Sequence, residues 1–168
     1  MQMLNRYFTP FAIILIASAI WFSDADPRAY KLSIAILILS ILINWWLSKN
    51  TYRFVSWARQ MRIVQVWLNY IWAVPLFYLL APTWGPMWLL FVMAPATAAM
   101  VMSWRQTLTV ALVSAATMLG IYYHSGVFES QAAAGMAVVH ACFIVILSLF
   151  IYALAQTALR LRDANLRS

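Results

Sequence analysis

The sequence predicts an all-α integral membrane protein, a bundle of six transmembrane helices with both termini in the cytoplasm, and three observations carry that reading. Apolar residues make up 65 % of the 168-residue chain and charged residues only 9 %, at a mean hydropathy of +0.83. A soluble domain typically holds about 25 % charge and under half apolar residues, so this chain is too poor in charge to cover itself with a polar shell. Second, the apolar residues fall into six runs, at roughly 8 to 23, 30 to 48, 63 to 82, 87 to 103, 107 to 124 and 132 to 156. Each is near the ~20 residues that a helix needs to cross a hydrocarbon layer ~30 Å thick. Third, the charges sit in the gaps between the runs and are unequally shared.

That inequality sets the orientation, because short cytoplasmic loops retain Lys and Arg. With the N-terminus inside, the inner segments hold Arg6, Lys49, Arg53, Arg59, Arg62, Arg105, Arg160, Arg162 and Arg167, nine of the eleven basic residues. The outer segments hold Arg28 and Lys31 beside the acidic Asp24, Asp26 and Glu129, and Asp163 is the one acidic residue inside. The net charge of +7 therefore reads as membrane orientation, with the lipid bilayer as partner and no nucleic acid. A multi-pass protein of the bacterial inner membrane is expected.

Taken in order, the first run follows Arg6 and ends near Trp21. Its small residues Ser18 and Ala19 resemble a signal-peptide end, but it is read as a retained span. The second ends on Trp45, Trp46 and Lys49, an aromatic and basic anchor at the inner surface. The third carries Asn69 and the one deep tryptophan, Trp72. From Pro75 to Pro95 the chain reads PLFYLLAPTWGPMWLLFVMAP. Pro82, Gly85 and Pro86 force a tight outer turn, because proline fixes φ and glycine permits turn geometry. Pro75 and Pro95 fall inside their spans, where they kink the helix, free a carbonyl and open space beside it. In the last three runs alanines recur at a spacing of four, Ala94 with Ala98, Ala111 with Ala115, and Ala133 with Ala137 and Ala141. That spacing puts small side chains on one helix face and lets backbones approach closely.

The sixth run leads into a charged tail. Leu147, Leu154 and Leu161 stand seven apart, with Ile151, Ala158 and Asn165 four residues after each. This is a heptad with leucine at d, and an asparagine at a fixes register in a parallel pair. An unbroken helix leaving the membrane is expected, joined to its copy in a homodimer through Leu154, Ala158, Leu161 and Asn165. Residues 1–156 then form the transmembrane sensor domain and 157–168 a cytoplasmic signalling-helix stub.

Little catalytic chemistry is on offer. There is no Gly-rich phosphate loop, no metalloprotease helix and no carboxylate pair inside a span, so no enzyme and no cofactor are expected. No charged residue stands at the centre of a run, which argues against an ion-coupled carrier. His124 and His140 are the two histidines, with Met136 four residues before His140. His140 should lie on the order of 12 Å below the outer end of its span while His124 stays near the surface, so they do not share a metal. An interhelix hydrogen bond is the expected role of His140. Cys142, the single cysteine, has no partner for an intrachain disulfide. The candidate ligand site is the outer half between spans three and four, at Tyr78, Trp84, Pro86, Met87 and Trp88. Aromatic rings with polar tips around a proline-disrupted turn suit a membrane-soluble ligand or the helix of another membrane protein.

The order of elements resembles the six-span input region of bacterial sensor histidine kinases of the PilS and RegB type, which govern pilin expression or redox-responsive photosynthesis genes. The resemblance rests on the basic entry RQMRIVQVW, the turn and fourth span TWGPMWLLFVMAPATAAM, the inner turn SWRQTL and the exit ALAQTALRLRDANLRS. It covers nearly the whole chain as a pattern. What it implies is a membrane-embedded signal-input module, not itself an enzyme, that senses a membrane-borne cue and passes it on through the last helix. Redox-responsive members carry a Gly-Gly and Asn-Pro-Phe turn linked to quinone sensing; only Gly85, Pro86 and Met87 stand near that place here. The phosphoacceptor and ATP-binding segments of a kinase do not follow within the 168 residues, so a fragment and a stand-alone relative are both expected possibilities. The alternatives in other classes are a small stand-alone transporter or channel-like protein and a membrane scaffold. Transport would require polar groups along an internal path, and the sequence offers only scattered ones such as Asn69, Thr97, Thr117 and His140.

Overall fold

The computed structural model describes residues 2–22, 26–50, 58–82 and 84–165. Among these there are helices and turns and no strand: α1 (Gln2–Phe22), α2 (Pro27–Asn50), α3 (Ala58–Leu80), α4 (Leu90–Val101), α5 (Trp104–His124) and α6 (Gln131–Asn165). Each predicted run maps onto one helix in order. Four stretches are long and apolar enough to cross a membrane, Pro27–Leu47, Gln60–Leu80, Trp104–His124 and Gln131–Arg162. The apolar parts of the other two helices are shorter, Pro10–Phe22 and Gly85–Val101, the latter joining a 3-10 turn, Gly85–Leu89, to α4. Together that turn and α4 rise about 28 Å, close to the ~30 Å of a hydrocarbon layer.

Helix ends follow local chemistry. Pro27 opens α2, where its missing N–H is no loss. Asp26 precedes it, accepting from the Tyr30 N–H at 3.0 Å through its carbonyl and from the Arg28 N–H at 3.4 Å through Oδ1. Its carboxylate lies at the positive end of the helix dipole. Ser103 begins α5; its backbone N–H donates to Gln106 Oε1 at 3.2 Å and its carbonyl accepts from Thr107 at 2.9 Å. Gly126 ends α5 with φ 73, the left-handed conformation in which a glycine avoids the Cβ clash. Its N–H donates to the Tyr123 carbonyl at 3.2 Å.

The chain divides into two units, Met1–Met93 and Ala94–Ser168. In the first, α1 packs on α2 and α2 on α3, while the 3-10 turn meets α1 and α3. Phe91 closes this unit's aromatic cluster edge-on, 5.1 Å from Phe77 and 6.4 Å from Tyr70 between ring centres. In the second, α5 and α6 form an extensively packed antiparallel hairpin across a short link that contains the 3-10 turn Val127–Glu129. Of the alanines predicted to sit on close-packed faces, Ala94, Ala98, Ala111, Ala115, Ala137 and Ala141 are buried and Ala133 is half-buried. Along α4, every residue from Leu90 to Ala99 except Met93 is buried, as befits a segment with no polar face.

Elsewhere the helices are amphipathic in an inverted sense. On α2 the exposed stripe is Leu32, Leu39, Leu42 and Trp46, whereas the covered stripe, Ser33, Leu37, Ser40, Asn44 and Leu47, holds the polar residues. On α5 the buried stripe includes Thr107 and Ser114, and on α6 it includes Ser148. Outward-facing side chains are large and apolar: Trp21 is 83 % exposed, Ile146 66 % and Val139 64 %. Soluble chains rarely show apolar patches beyond a few hundred Å². Some hydroxyls on these helices bond back to their own turn, Ser40 to the Leu37 carbonyl at 2.8 Å, Ser148 to that of Ile144 and Thr157 to that of Ala153 at 3.0 Å, whereas those of Ser33, Thr107 and Ser114 are buried without a partner.

Candidate functional site

The covered stripe of α2 meets a matching stripe of α3. On α3, Asn69, Trp72, Ala73 and Leu76 stand at i, i+3, i+4 and i+7; on α2, Leu37, Ser40, Ile41 and Asn44 have the same spacing. Both rows face one partly enclosed cavity of about 60 Å³, which Ala12 and Ile16 of α1 and Leu90 and Met93 of α4 complete. Space arises here for two reasons. Ala12 and Ala73 present only a methyl group each, and Pro75, in the same turn as Ala73 and Leu76, lacks the N–H that would bond the Ile71 carbonyl.

The wall is apolar apart from a short polar track. Asn44 Nδ2 donates to Asn69 Oδ1 at 3.3 Å, joining α2 to α3. Asn69 is the midpoint of α3, so this bond lies far from either helix end. Two atoms in the wall residues are buried without a partner, the acceptor Asn44 Oδ1 and the donor Trp72 Nε1. Such a group in an apolar setting costs about 1–3 kcal/mol until something bonds it.

The residues singled out from sequence are placed differently. Trp84 stacks on Phe22, 5.7 Å between ring centres, which ties the end of α1 to the 3-10 turn. Met87 is fully buried, Pro86 and Tyr78 are exposed, and Trp88 is half-buried. Trp84, Pro86, Met87 and Trp88 thus share one turn, while Tyr78 points outward from α3, about 13 Å along the helix from Asn69. On α6, Leu154, Ala158 and Leu161 are exposed and the side chain of Asn165 lies outside the described residues. His140 is half-buried. Among the described residues no three of His, Cys, Asp and Glu gather as a metal site would require.

Sequence reading noticed Asn69 and Trp72 singly and passed over Asn44. The available signal was the polar residues Ser33, Ser40 and Asn44 recurring on a helical face of the second run.

The Asn44–Asn69 bond gives a testable asymmetry. Asn69→Leu leaves the Asn44 amide wholly unpaired and is expected to lower stability by about 1–2 kcal/mol. Replacing both asparagines by leucine should restore most of that loss, because no orphan polar group remains. Thermal unfolding in detergent of the two variants checks this; equal losses would show that the bond is not what the single variant removes.

What fold and site define, among the described residues, is an all-helical protein with four helices long and apolar enough to cross a membrane, and a mostly apolar cavity with a short polar track, walled by α1, α2, α3 and the start of α4. No protein-family model, curated protein or solved structure matches the chain.

Proposed function

We propose that the chain is a six-span signal-input module of a sensor histidine kinase, set in the bacterial inner membrane with both termini in the cytoplasm. The observation that carries the reading is the length of α6, which runs without a break from Gln131 to Asn165. Its 35 residues rise about 52 Å, some 22 Å more than a hydrocarbon layer. A helix that is continuous across the membrane boundary transmits a displacement or rotation made inside the bilayer to whatever follows it. Arg160 and Arg162 stand where such a helix meets an anionic inner surface.

Orientation is supported by the helix ends. Lys49 closes α2, Arg62 lies near the start of α3, Arg105 opens α5 and Arg162 lies in the last turn of α6. If six helices alternate in direction, all four belong to one side. Lys49 Nζ also lies 5.2 Å from the Trp45 ring centre, an interfacial pairing of cation and aromatic ring. Among the described residues no charged side chain is buried, in keeping with a bundle that senses and does not pump ions.

Cysteine accessibility tests the topology in a background lacking Cys142. Single cysteines at Asp26 and Glu129 should label from the outside, and one at Arg105 only after the inner face is exposed. Labelling of the first two from the cytoplasm alone reverses the model. The function is tested by joining a kinase catalytic domain in frame after Ser168. Autophosphorylation is expected to follow changes made in α6, and output indifferent to all of them overturns the proposal.

A further inference from the structure

One side of the α5–α6 hairpin carries an open groove of about 430 Å³ whose wall is wholly apolar. Ala115 and Ala141, both buried, form its base, and Leu112, Ala116, Cys142 and Ile146, all exposed, form its rim. Space is left because the residues at the base end at Cβ while branched side chains stand at the edges. The volume falls within the roughly 300–1,000 Å³ of ligand sites. With no polar group to offer, such a groove suits a hydrocarbon chain, which fills it through dispersion contacts.

The faces that bound the groove continue to the end of the hairpin where α5 starts, and there they become cationic. On α5 the row is Leu119, Ala116, Leu112 and Arg105; on α6 it is Cys142, Ile146, Leu149, Gln156 and Arg160, all at helical intervals of three, four or seven. Arg105 and Arg160 are both exposed. The helices run antiparallel with Ala116 across from Cys142, which brings Arg105 level with about Ala153 and leaves Arg160 about 10 Å further along. Side chains lean toward the N-terminus of their own helix. Arg105 is thereby turned away from the groove and Arg160 back toward it, so that the two guanidinium groups converge on one level beside Gln156. A phosphate is the group that two such forks hold well. Asp163 stands three residues beyond Arg160, further from the groove, and Arg162 falls on another side of α6. At the opposite end the same rows finish on Tyr123 and Gln131, which carry no charge.

We infer that this side of the hairpin is a binding site for an anionic phospholipid, with its phosphate between Arg105 and Arg160 and the far half of one acyl chain in the groove. The depths agree, since the groove begins about 10 Å from Arg105 along α5 and one leaflet of hydrocarbon is about 15 Å deep. A second copy of the chain is a poor occupant, because a parallel twofold pairing across this groove sets Arg105 and Arg160 of one copy against those of the other. The row Leu154, Ala158 and Leu161 lies on a different side of α6 and leaves the groove open. The site rests on the membrane-spanning reading of the hairpin, in either orientation, and not on α6 driving an output; cysteine accessibility tests that crossing separately.

The test uses the full chain in phosphatidylcholine nanodiscs with a trace of phosphatidylglycerol that carries a photoreactive diazirine in the far half of one acyl chain. A phosphatidylcholine with the same labelled chain is the control, and labelled residues are mapped by mass spectrometry. The anionic probe is expected to mark the groove residues of α5 and α6 roughly 25-fold more than the control, about fivefold for each arginine. Unlabelled phosphatidylglycerol or phosphatidylserine should displace it, and added phosphatidylcholine should not. Arg105→Gln and Arg160→Gln should each weaken labelling about fivefold, while Arg105→Lys keeps most of it. Ala116→Phe fills the groove from an exposed position and should move the labels out of it, with circular dichroism confirming helix content. Equal labelling of the groove by the two probes, or undiminished labelling in the double glutamine variant, would overturn the assignment. So would anionic preference with labels spread equally onto Leu32 and Leu39 of α2, which would reduce the effect to attraction at the membrane surface.

Discussion

Ala137→Leu is expected to destabilise the protein by about 2–3 kcal/mol, while Val139→Leu, two residues further along the same helix, should change stability by less than about 0.5 kcal/mol. Ala137 is 1 % exposed and belongs to the covered stripe of α6 with Ala141, Ile144 and Ser148. A leucine there adds three carbons where the packing leaves no room, so backbones must separate or the side chain must leave its preferred rotamer. In a membrane the loss is felt strongly, because helix association rests on close packing and not on expulsion of water. Val139 is 64 % exposed, and an added methylene at that position meets only the surroundings. Unfolding of detergent-solubilised variants followed by circular dichroism separates the two. Similar losses at both sites would mean that the alanine stripe does not set the distance between helices.

A larger effect is expected in a kinase fusion when the phase of α6 is changed. Inserting three or four residues after Asn165 should switch or abolish output, and inserting seven should largely restore it. Seven residues are two turns of a coiled coil, so the heptad insertion returns the downstream domain to its former face, whereas three or four residues leave it about 50° out of phase in one sense or the other. Leu147 and Ile151 are half-covered within the single chain, and the row opens to view at Leu154, Ala158 and Leu161, with Leu154 54 % and Leu161 62 % exposed. A free apolar row along the last turns of α6 is what a parallel partner helix would cover. If the tail instead lies on the membrane surface, all three insertions give the same output, and α6 loses its coupling role.

The helices were legible in the sequence and the cleft was not. Six hydrophobic runs, their prolines, and small residues at a spacing of four are local signals, and the helices, the Pro82–Pro86 turn region and the buried alanines follow from them. The 3-10 turn ahead of α4 is likewise visible in Gly85 and Pro86. The cleft depends instead on which faces meet. Asn44 and Asn69 are 25 residues apart, and nothing in either run says that their stripes face each other. The aromatic cluster at Trp84 drew notice because its residues are neighbours in sequence. Its structural counterpart is a stacked pair with Phe22, a residue from the other end of the unit.

The inverted stripes have a consequence for how this sequence can change with time. On an exposed apolar row such as Leu32, Leu39 and Leu42, leucine, isoleucine, valine and phenylalanine are close substitutes, because no neighbouring side chain confines them. Exchange among them should cost little. Ser33, Ser40, Thr107, Ser114 and Ser148 are buried, and Asn44 and Asn69 are half-buried and bonded to each other. In this chain the polar interior, not the hydrophobic bulk, is where a substitution should be felt most.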